Sequence, residues 1–186
     1  MAVALRFRAQ GAATRLGPMI VSTLAALVFP LLMALAASSD LITMRISNRL
    51  VAVLVVGFFV LAFAAQLPLQ QIAMHTGLAV MVLAFGFAFF SFGWIGGGDA
   101  KLAAATSLWI GFGLLLPYVI YGALLGGALT LLLLGVRRWP LPSFLARIGW
   151  IDRLHDPKSG VPYGIALAIA GILVYHQTAI FHLLVV

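Results

Sequence analysis

The stretch IAMHTGLAVMVLAFGFAFFSF, residues Ile72–Phe92, has no charged side chain along its whole length. About 20 residues of α-helix, rising ~1.5 Å each, are needed to cross the ~30 Å hydrocarbon core of a bilayer. A transmembrane β-barrel would instead show short strands in which apolar and polar residues alternate. Because this stretch is continuous and apolar, it predicts a membrane-spanning helix.

Five more apolar stretches lie on either side of this one. They cover Pro18–Ala37, Ser47–Gln66, Ala100–Leu116, Tyr118–Val136 and Val161–Leu184. We expect Pro117 to end the stretch that begins at Ala100. The 186-residue chain is 64% hydrophobic and 8% charged, and a soluble domain could not cover so much apolar surface with so few charges. The composition therefore predicts an all-α fold, a polytopic membrane helix bundle of about six transmembrane helices.

Positive charge is concentrated in alternate links between the apolar stretches. Eight of the 11 basic residues follow the first, third or fifth stretch, namely Arg45, Arg49, Lys101, Arg137, Arg138, Arg147, Arg153 and Lys158. The positive-inside rule makes these links cytoplasmic, so we expect a multi-pass protein of the cell inner membrane with both termini outside. With the basic residues in these links, the net charge of +7 indicates anionic lipid headgroups as partners. We expect no nucleic acid partner.

Three parts of the chain can be distinguished. Residues 1–17 form a basic N-terminal tail, whose arginines the predicted orientation leaves on the outer side. Residues 18–186 form the membrane-embedded domain. Within it, residues 136–160 are a cytoplasmic link in which Trp139 and Trp150 alternate with charges, a pattern typical of a segment lying in the membrane interface.

Few side chains are available for chemistry. The chain has four acidic residues and no Cys, which excludes thiolate catalysis, disulfides and cysteine zinc sites. Its four histidines do not have metal-ligand spacing, so we expect no metal and no cofactor. Asp152 and Asp156 lie among the charges of the basic link, which predicts solvated turn residues.

The other two acids, Asp40 and Asp99, lie at the ends of apolar stretches on the predicted cytoplasmic side. Two carboxyl groups held close together cannot both ionise cheaply, so one keeps its proton. The ionised group can then accept a proton from water while the other donates to a carbonyl oxygen, as in aspartic proteases. The alternative is that each acid is an ordinary residue at a helix end, with Asp99 as the N-cap of the fourth helix.

The motif GGGDAK, residues 96–101, surrounds Asp99 with glycines and a lysine. Gly96–Gly98 let the backbone bend, so that an extended peptide could lie beside Asp99. Lys101 lies on another face of the helix, where it could contact lipid phosphate or tune the electrostatics near Asp99.

Three motifs together resemble one family. GGGDAK matches the GxGDxK motif of the prepilin peptidases, which are membrane-embedded aspartic proteases. Asp40, followed by RISNRL, resembles that family's first acidic motif, an Asp a few residues ahead of I-P-N. GVPYGIALAIAG, residues 160–171, is similar to the segment that opens the family's last span.

The resemblance implies a site and a substrate. Asp40 and Asp99 carry over as the catalytic pair, and the remaining motif and substrate-positioning residues are Gly96, Gly98, Lys101 and Asn48. The implied substrates are type IV-like prepilins, cleaved at the cytoplasmic boundary between a basic leader and an apolar helix. Pilus-assembly proteins are implied as further partners.

The chain departs from the family pattern in two places. Ser47 replaces the Pro of I-P-N, and Ser47 or Asn48 could cap the second helix. Longer members carry a cytoplasmic domain with paired Cys, associated with N-methylation of the cleaved pilin. This chain resembles the short type of tight-adherence (Flp) pilus systems, a peptidase without methyltransferase activity.

Two other function classes compete with this reading. A small transporter or proton-coupled channel could use Asp40 and Asp99, but it would place its ionisable groups near the midplane, often with an internal repeat. A structural role in an assembly complex would leave the acid pair without a task.

Overall fold

The computed structural model describes the backbone of residues 2–185 and the side chains of residues 22, 23 and 25–184. The helices in chain order are α1 (Ala2–Thr43), α2 (Asn48–Ala64), α3 (Leu69–Ser91), α4 (Gly97–Ile110), α5 (Phe112–Val136), α6 (Ser143–Ala146), α7 (Gly149–His155), α8 (Tyr163–Tyr175) and α9 (Ala179–Val185). No strand occurs in the described part of the chain. The prediction of an all-α helix bundle is confirmed.

Within the described residues, three helices are long and apolar enough to cross a membrane. These are residues Ala25–Thr43 of α1, the whole of α3 and the whole of α5. Two more, α2 and α8, are apolar but shorter. Large apolar side chains are exposed on the spanning helices: Phe85 of α3 is 61% exposed and Leu131 of α5 is 72% exposed. Such exposure is expected of surfaces that face lipid.

The boundary between the fourth and fifth apolar stretches differs from the prediction. Gly111, at φ +71°, ends α4, and α5 begins at Phe112. Pro117 therefore lies inside α5, and the prediction that it ends a helix was wrong. A φ of this sign is strained for any residue with a side chain, so glycine stops the helix. Membrane helices tolerate an internal proline because neighbouring groups compensate for the lost hydrogen bond.

The ends of the chain also depart from the simple segment pattern. The last apolar stretch is divided into α8 and α9. The N-terminal tail is helical from Ala2 and continuous with α1, and its side chains lie outside the described residues.

The basic link folds back onto the bundle as the short helices α6 and α7. Arg137 at the end of α5 donates to the backbone carbonyl of Leu154, with its Nη2 at 2.8 Å. Arg153 of α7 donates through Nη1 to the carbonyl oxygen of Ile42 at 3.0 Å. A cation at the carboxyl end of α1 meets the negative end of the helix dipole. These bonds hold the link against the end of the bundle.

The short helix α4 lies in the middle of the core. Trp109 has no exposed surface, and its ring centroid lies 5.1 Å from that of Phe29 and 5.8 Å from that of Phe58. Its indole N–H donates to the carbonyl oxygen of Leu54 in α2 at 3.0 Å. These contacts fix the position of α4, and with it the position of the acid in its first turn.

Glycines allow close approach where α5 meets α8. A Cβ atom at Gly126 would lie 2.7 Å from Cε1 of Tyr163, and one at Gly122 would lie 3.5 Å from Leu167. Gly122 and Gly126, four residues apart, therefore form a small-residue face of the kind that lets membrane helices approach closely. The hydroxyls of Tyr163 and Thr130 are 2.9 Å apart and complete this contact.

Candidate active site

Asp40 and Asp99 line the same cavity, which has a volume of about 780 Å³. It lies at the end of the bundle where α1 ends and where α4 and α8 begin. The two acids come from helices far apart in sequence, and packing of α1, α4 and α8 brings them together. The other residues around the cavity are mainly apolar or small: Met44, Gly93, Trp94, Ile95, Gly96, Ala103, Gly160, Val161, Pro162, Tyr163 and Leu167.

Asp40 lies in the last turn of α1 and is 5% exposed. Its Oδ2 accepts a hydrogen bond from the backbone N–H of Gly164 at 2.8 Å. Gly164 is the second residue of α8. A carboxylate at the amino end of a helix is stabilised by the helix dipole and by N–H groups without intrahelical partners.

Asp99 is the third residue of α4 and lies outside the three spanning helices. The N-cap of α4 is Gly96, so the alternative prediction that Asp99 itself caps this helix was wrong. The pKa of Asp99 is raised to about 7, chiefly by burial and then by the charge of Asp40, while a hydrogen bond with the backbone of Gly96 acts in the opposite direction. Asp99 is therefore able to hold a proton near neutral pH.

The three glycines of the motif have different surroundings. Gly96 lines the cavity, and a Cβ atom there would lie 2.9 Å from Oδ2 of Asp99. Gly97 faces the ring of Phe90, and Gly98 faces Ile46, with hypothetical Cβ contacts of 3.3 and 3.4 Å. Of the three, Gly96 lies where a peptide backbone could pass beside Asp99, because Gly97 packs against α3 and Gly98 packs against the link between α1 and α2.

Lys101 and Asn48 contact each other and not the acids. The Nζ of Lys101 donates to Oδ1 of Asn48 at 3.0 Å. This bond joins the beginning of α4 to the beginning of α2. Ser47 caps α2 through its hydroxyl oxygen, which accepts from the N–H of Leu50 at 3.2 Å, so of the two capping candidates Ser47 is confirmed.

Sequence reasoning missed several residues of the site. Trp94, which is 73% exposed, and Tyr163 form part of the cavity wall, and Gly164 holds Asp40. Tyr163 and Gly164 belong to the segment GVPYG, which the resemblance singled out without giving it a role. Trp94 lies two residues before the motif around Asp99. This proximity in sequence is the one signal that could have assigned Trp94 to the site.

The chemistry of the cavity is that of a carboxyl pair. In the described part of the chain, no group of three or more His, Cys, Asp or Glu could hold a metal ion. A second cavity of about 510 Å³ lies at the opposite end of the bundle, and His75, Gln70 and Gln177 are among its lining residues. None of its lining residues is acidic. Of these two cavities, the first is the one lined by two carboxyl groups.

The comparisons with known proteins identify a family. A family model described as the type IV leader peptidase family matches residues 27–131. The match includes both acids and the whole glycine motif, and it ends before α8. No curated protein and no solved structure gave a significant match.

Proposed function

The chain belongs to the type IV leader peptidase family, and we propose that it is an aspartic endopeptidase that removes the basic leader from type IV-like (Flp) prepilins. The observation that carries this proposal is the placement of Asp40 and Asp99 in one cavity at the end of a membrane helix bundle. Peptide hydrolysis by two carboxyl groups needs one ionised and one protonated. The raised pKa of Asp99 supports that division near neutral pH.

The cavity suits a substrate that is apolar on one side of the scissile bond. Its wall includes Trp94, Ile95 and Tyr163, while the basic link lies at the same end of the bundle. A prepilin would place its apolar helix in the lipid and its leader in the aqueous phase. Cleavage would then occur at the membrane boundary, where Gly96 and Asp99 line the cavity side by side.

The proposed enzyme is a peptidase without methyltransferase activity. Only residues 44–47 separate α1 from α2, and this link leaves no room for the cytoplasmic domain of the longer family members. The Flp assignment rests on this short link together with the resemblance. Asn48 and Lys101 have a supporting role in the proposal, since their hydrogen bond fixes the first turn of α4 that carries Asp99.

The cleavage rate is expected to fall above about pH 7. The pKa of Asp99 is raised to about 7, so Asp99 keeps the proton of the acid form below that pH and loses it above. Once both carboxyl groups are ionised, no general acid remains, and the rate drops about tenfold per pH unit. The measurement is the initial rate of cleavage by the purified full chain, using a prepilin with its leader and apolar helix.

Mass spectrometry of the product would locate the new N-terminus at the end of the leader. The matched control is Asp152→Asn, which removes an exposed carboxylate that does not line the cavity and should leave the profile unchanged. An intact prepilin at every pH, with folded protein present, would contradict the proposed function. A rate that keeps rising through about pH 9 would contradict the role of Asp99 as acid.

We propose that the protein lies in the inner membrane and that its site faces the cytoplasm. Lys158 and Gln70 are exposed and lie at opposite ends of the bundle. The chain has no Cys, so Lys158→Cys and Gln70→Cys each carry a single thiol. In intact cells an impermeant thiol reagent should label the variant at Gln70 and spare the one at Lys158, because the positive-inside rule places the basic link inside. Labelling of both after lysis is the control, and the reverse pattern in intact cells would contradict the orientation.

A further inference from the structure

Gly164 is the residue through which α8 meets the acid of α1. Its N–H donates to Oδ2 of Asp40 at 2.8 Å, and both residues are buried. The N-cap of α8 is Pro162, which makes no side-chain capping hydrogen bond. Asp40 therefore acts as the acceptor that the first turn of α8 would otherwise lack.

The space around Gly164 excludes any side chain. A Cβ atom there would lie 2.7 Å from Oδ2 of Asp40 and 2.8 Å from Cδ1 of Ile46. Gly164 is not among the glycines with positive φ, so its backbone conformation is open to other residues. Glycine is required here because the carboxylate of Asp40 occupies the place of a side chain.

The two acids differ in what surrounds them. Asp40 accepts a short hydrogen bond from another helix, at the positive end of that helix. Asp99 lies in the first turn of its own helix, is less buried than Asp40, has a hydrogen bond with the backbone of Gly96, and is subject to the like charge of Asp40. Burial favours the neutral form of both carboxyl groups, whereas a hydrogen-bond donor favours the charged form. The bond from Gly164 therefore favours charge on Asp40, and the charge of Asp40 in turn favours the neutral form of Asp99.

We propose that Gly164 is a positioning residue, which holds Asp40 as the ionised member of the pair so that Asp40 is the base and Asp99 is the acid. This inference rests on the proposed function, because it assigns the two tasks within the same site. Gly164 acts on the reaction through Asp40, so it does not need to contact the substrate.

The assignment gives a balanced reaction. The Asp40 carboxylate takes one proton from a water molecule, whose oxygen bonds to the scissile carbonyl carbon, while Asp99 gives its proton to the carbonyl oxygen. The intermediate collapses when a hydroxyl proton returns to Asp99 and the C–N bond breaks. Asp40 passes its proton to the leaving nitrogen, which restores the ionised form of Asp40 and the protonated form of Asp99.

The first experiment substitutes Gly164→Ala in the full chain and measures prepilin cleavage. The added methyl group displaces the carboxylate of Asp40, and a shift of this kind costs on the order of a hundredfold in kcat. The KM should stay unchanged, because Gly164 acts on the base and not on substrate binding. The matched control is Gly127→Ala in α5, where a Cβ atom meets nothing within 4 Å, and its kcat should equal that of the parent chain.

A second variant separates positioning from crowding. Ile46→Val deletes Cδ1, the other atom close to the new methyl group, and leaves the contact with Asp40 in place. The double variant Gly164→Ala/Ile46→Val should therefore stay as slow as Gly164→Ala. Recovery of the parent kcat would show that Gly164 matters only for packing against Ile46, and an unaffected Gly164→Ala would overturn the proposal directly.

Infrared spectroscopy tests the assignment without any substrate. Just below neutral pH, the carbonyl stretch of a protonated carboxylic acid should disappear in Asp99→Asn and remain in Asp40→Asn. Loss of the band in Asp40→Asn, with retention in Asp99→Asn, would reverse the assignment. If the parent chain cleaves no prepilin, the proposed function fails, whereas the infrared result stands or falls independently.

Discussion

Asp40→Asn and Asp99→Asn should each abolish prepilin cleavage, while the protein should still accumulate in the membrane. Asparagine keeps the shape of the side chain but cannot ionise, so it neither takes a proton from water nor donates one as an acid. Both acids line one cavity, and neither can perform the task of the other. The expected loss in turnover is at least about 10³-fold, in line with other catalytic residues that act as a unit.

The measurement is cleavage of a prepilin in membranes, normalised to the amount of peptidase. The double variant should be hardly slower than either single variant, because residues that act as a unit are not additive. Asp152→Asn and Asp156→Asn are the matched controls, since both side chains are exposed in the basic link. Near-normal turnover in either cavity variant would reject the catalytic pair and leave the two acids as ordinary helix-end residues.

Trp109→Ala should lower the free energy of unfolding by about 3–5 kcal/mol, the range for deletion of a large buried aromatic side chain. Trp109 is fully buried among Phe29, Phe58 and Tyr175. Alanine would leave a cavity and would also remove the indole hydrogen bond to Leu54. Reversible unfolding in detergent micelles, followed by denaturant titration, measures the change.

Two controls separate the contributions. Trp109→Phe keeps an aromatic ring and loses the hydrogen bond. Its free energy of unfolding should therefore fall by less than that of Trp109→Ala, and the lost bond itself should account for about 1 kcal/mol. Trp139→Ala removes a side chain that is 76% exposed and should change the free energy of unfolding by no more than about 0.5 kcal/mol. Equal losses at Trp109 and Trp139 would contradict the placement of α4 at the centre of the core.

The packing of α4 explains how Asp99 is held at one end of the bundle. The tryptophan near the carboxyl end of α4 is fixed in the core, and the opposite end of this helix carries Asp99. Gly86 of α3 lets Ala100 approach, since a Cβ atom at Gly86 would lie 3.0 Å from the Cβ of Ala100. The first turn of α4 is therefore held on several sides, as a preorganised site requires.

Helix content and membrane character were predictable from the sequence alone. The length and polarity of a stretch such as Ile72–Phe92 decide whether it can cross a bilayer, and these are properties of the stretch itself. Local chemistry also explains Ser47 as a cap. It does not decide where α4 ends, because proline is the stronger helix breaker by residue type, whereas the helix stops at Gly111, whose φ is positive.

The sequence by itself determined that this protein is a bundle of apolar helices, that Asp40 and Asp99 are its two acids outside the basic link, and that a glycine motif surrounds Asp99. Only the tertiary structure decided that Asp40 and Asp99 share a cavity, that Lys101 turns to Asn48, and that Gly164 holds Asp40. The physical reason is the range of the interactions. Crossing a membrane depends on each segment separately, whereas a hydrogen bond between residues 40 and 164 exists only after α1, α4 and α8 have packed.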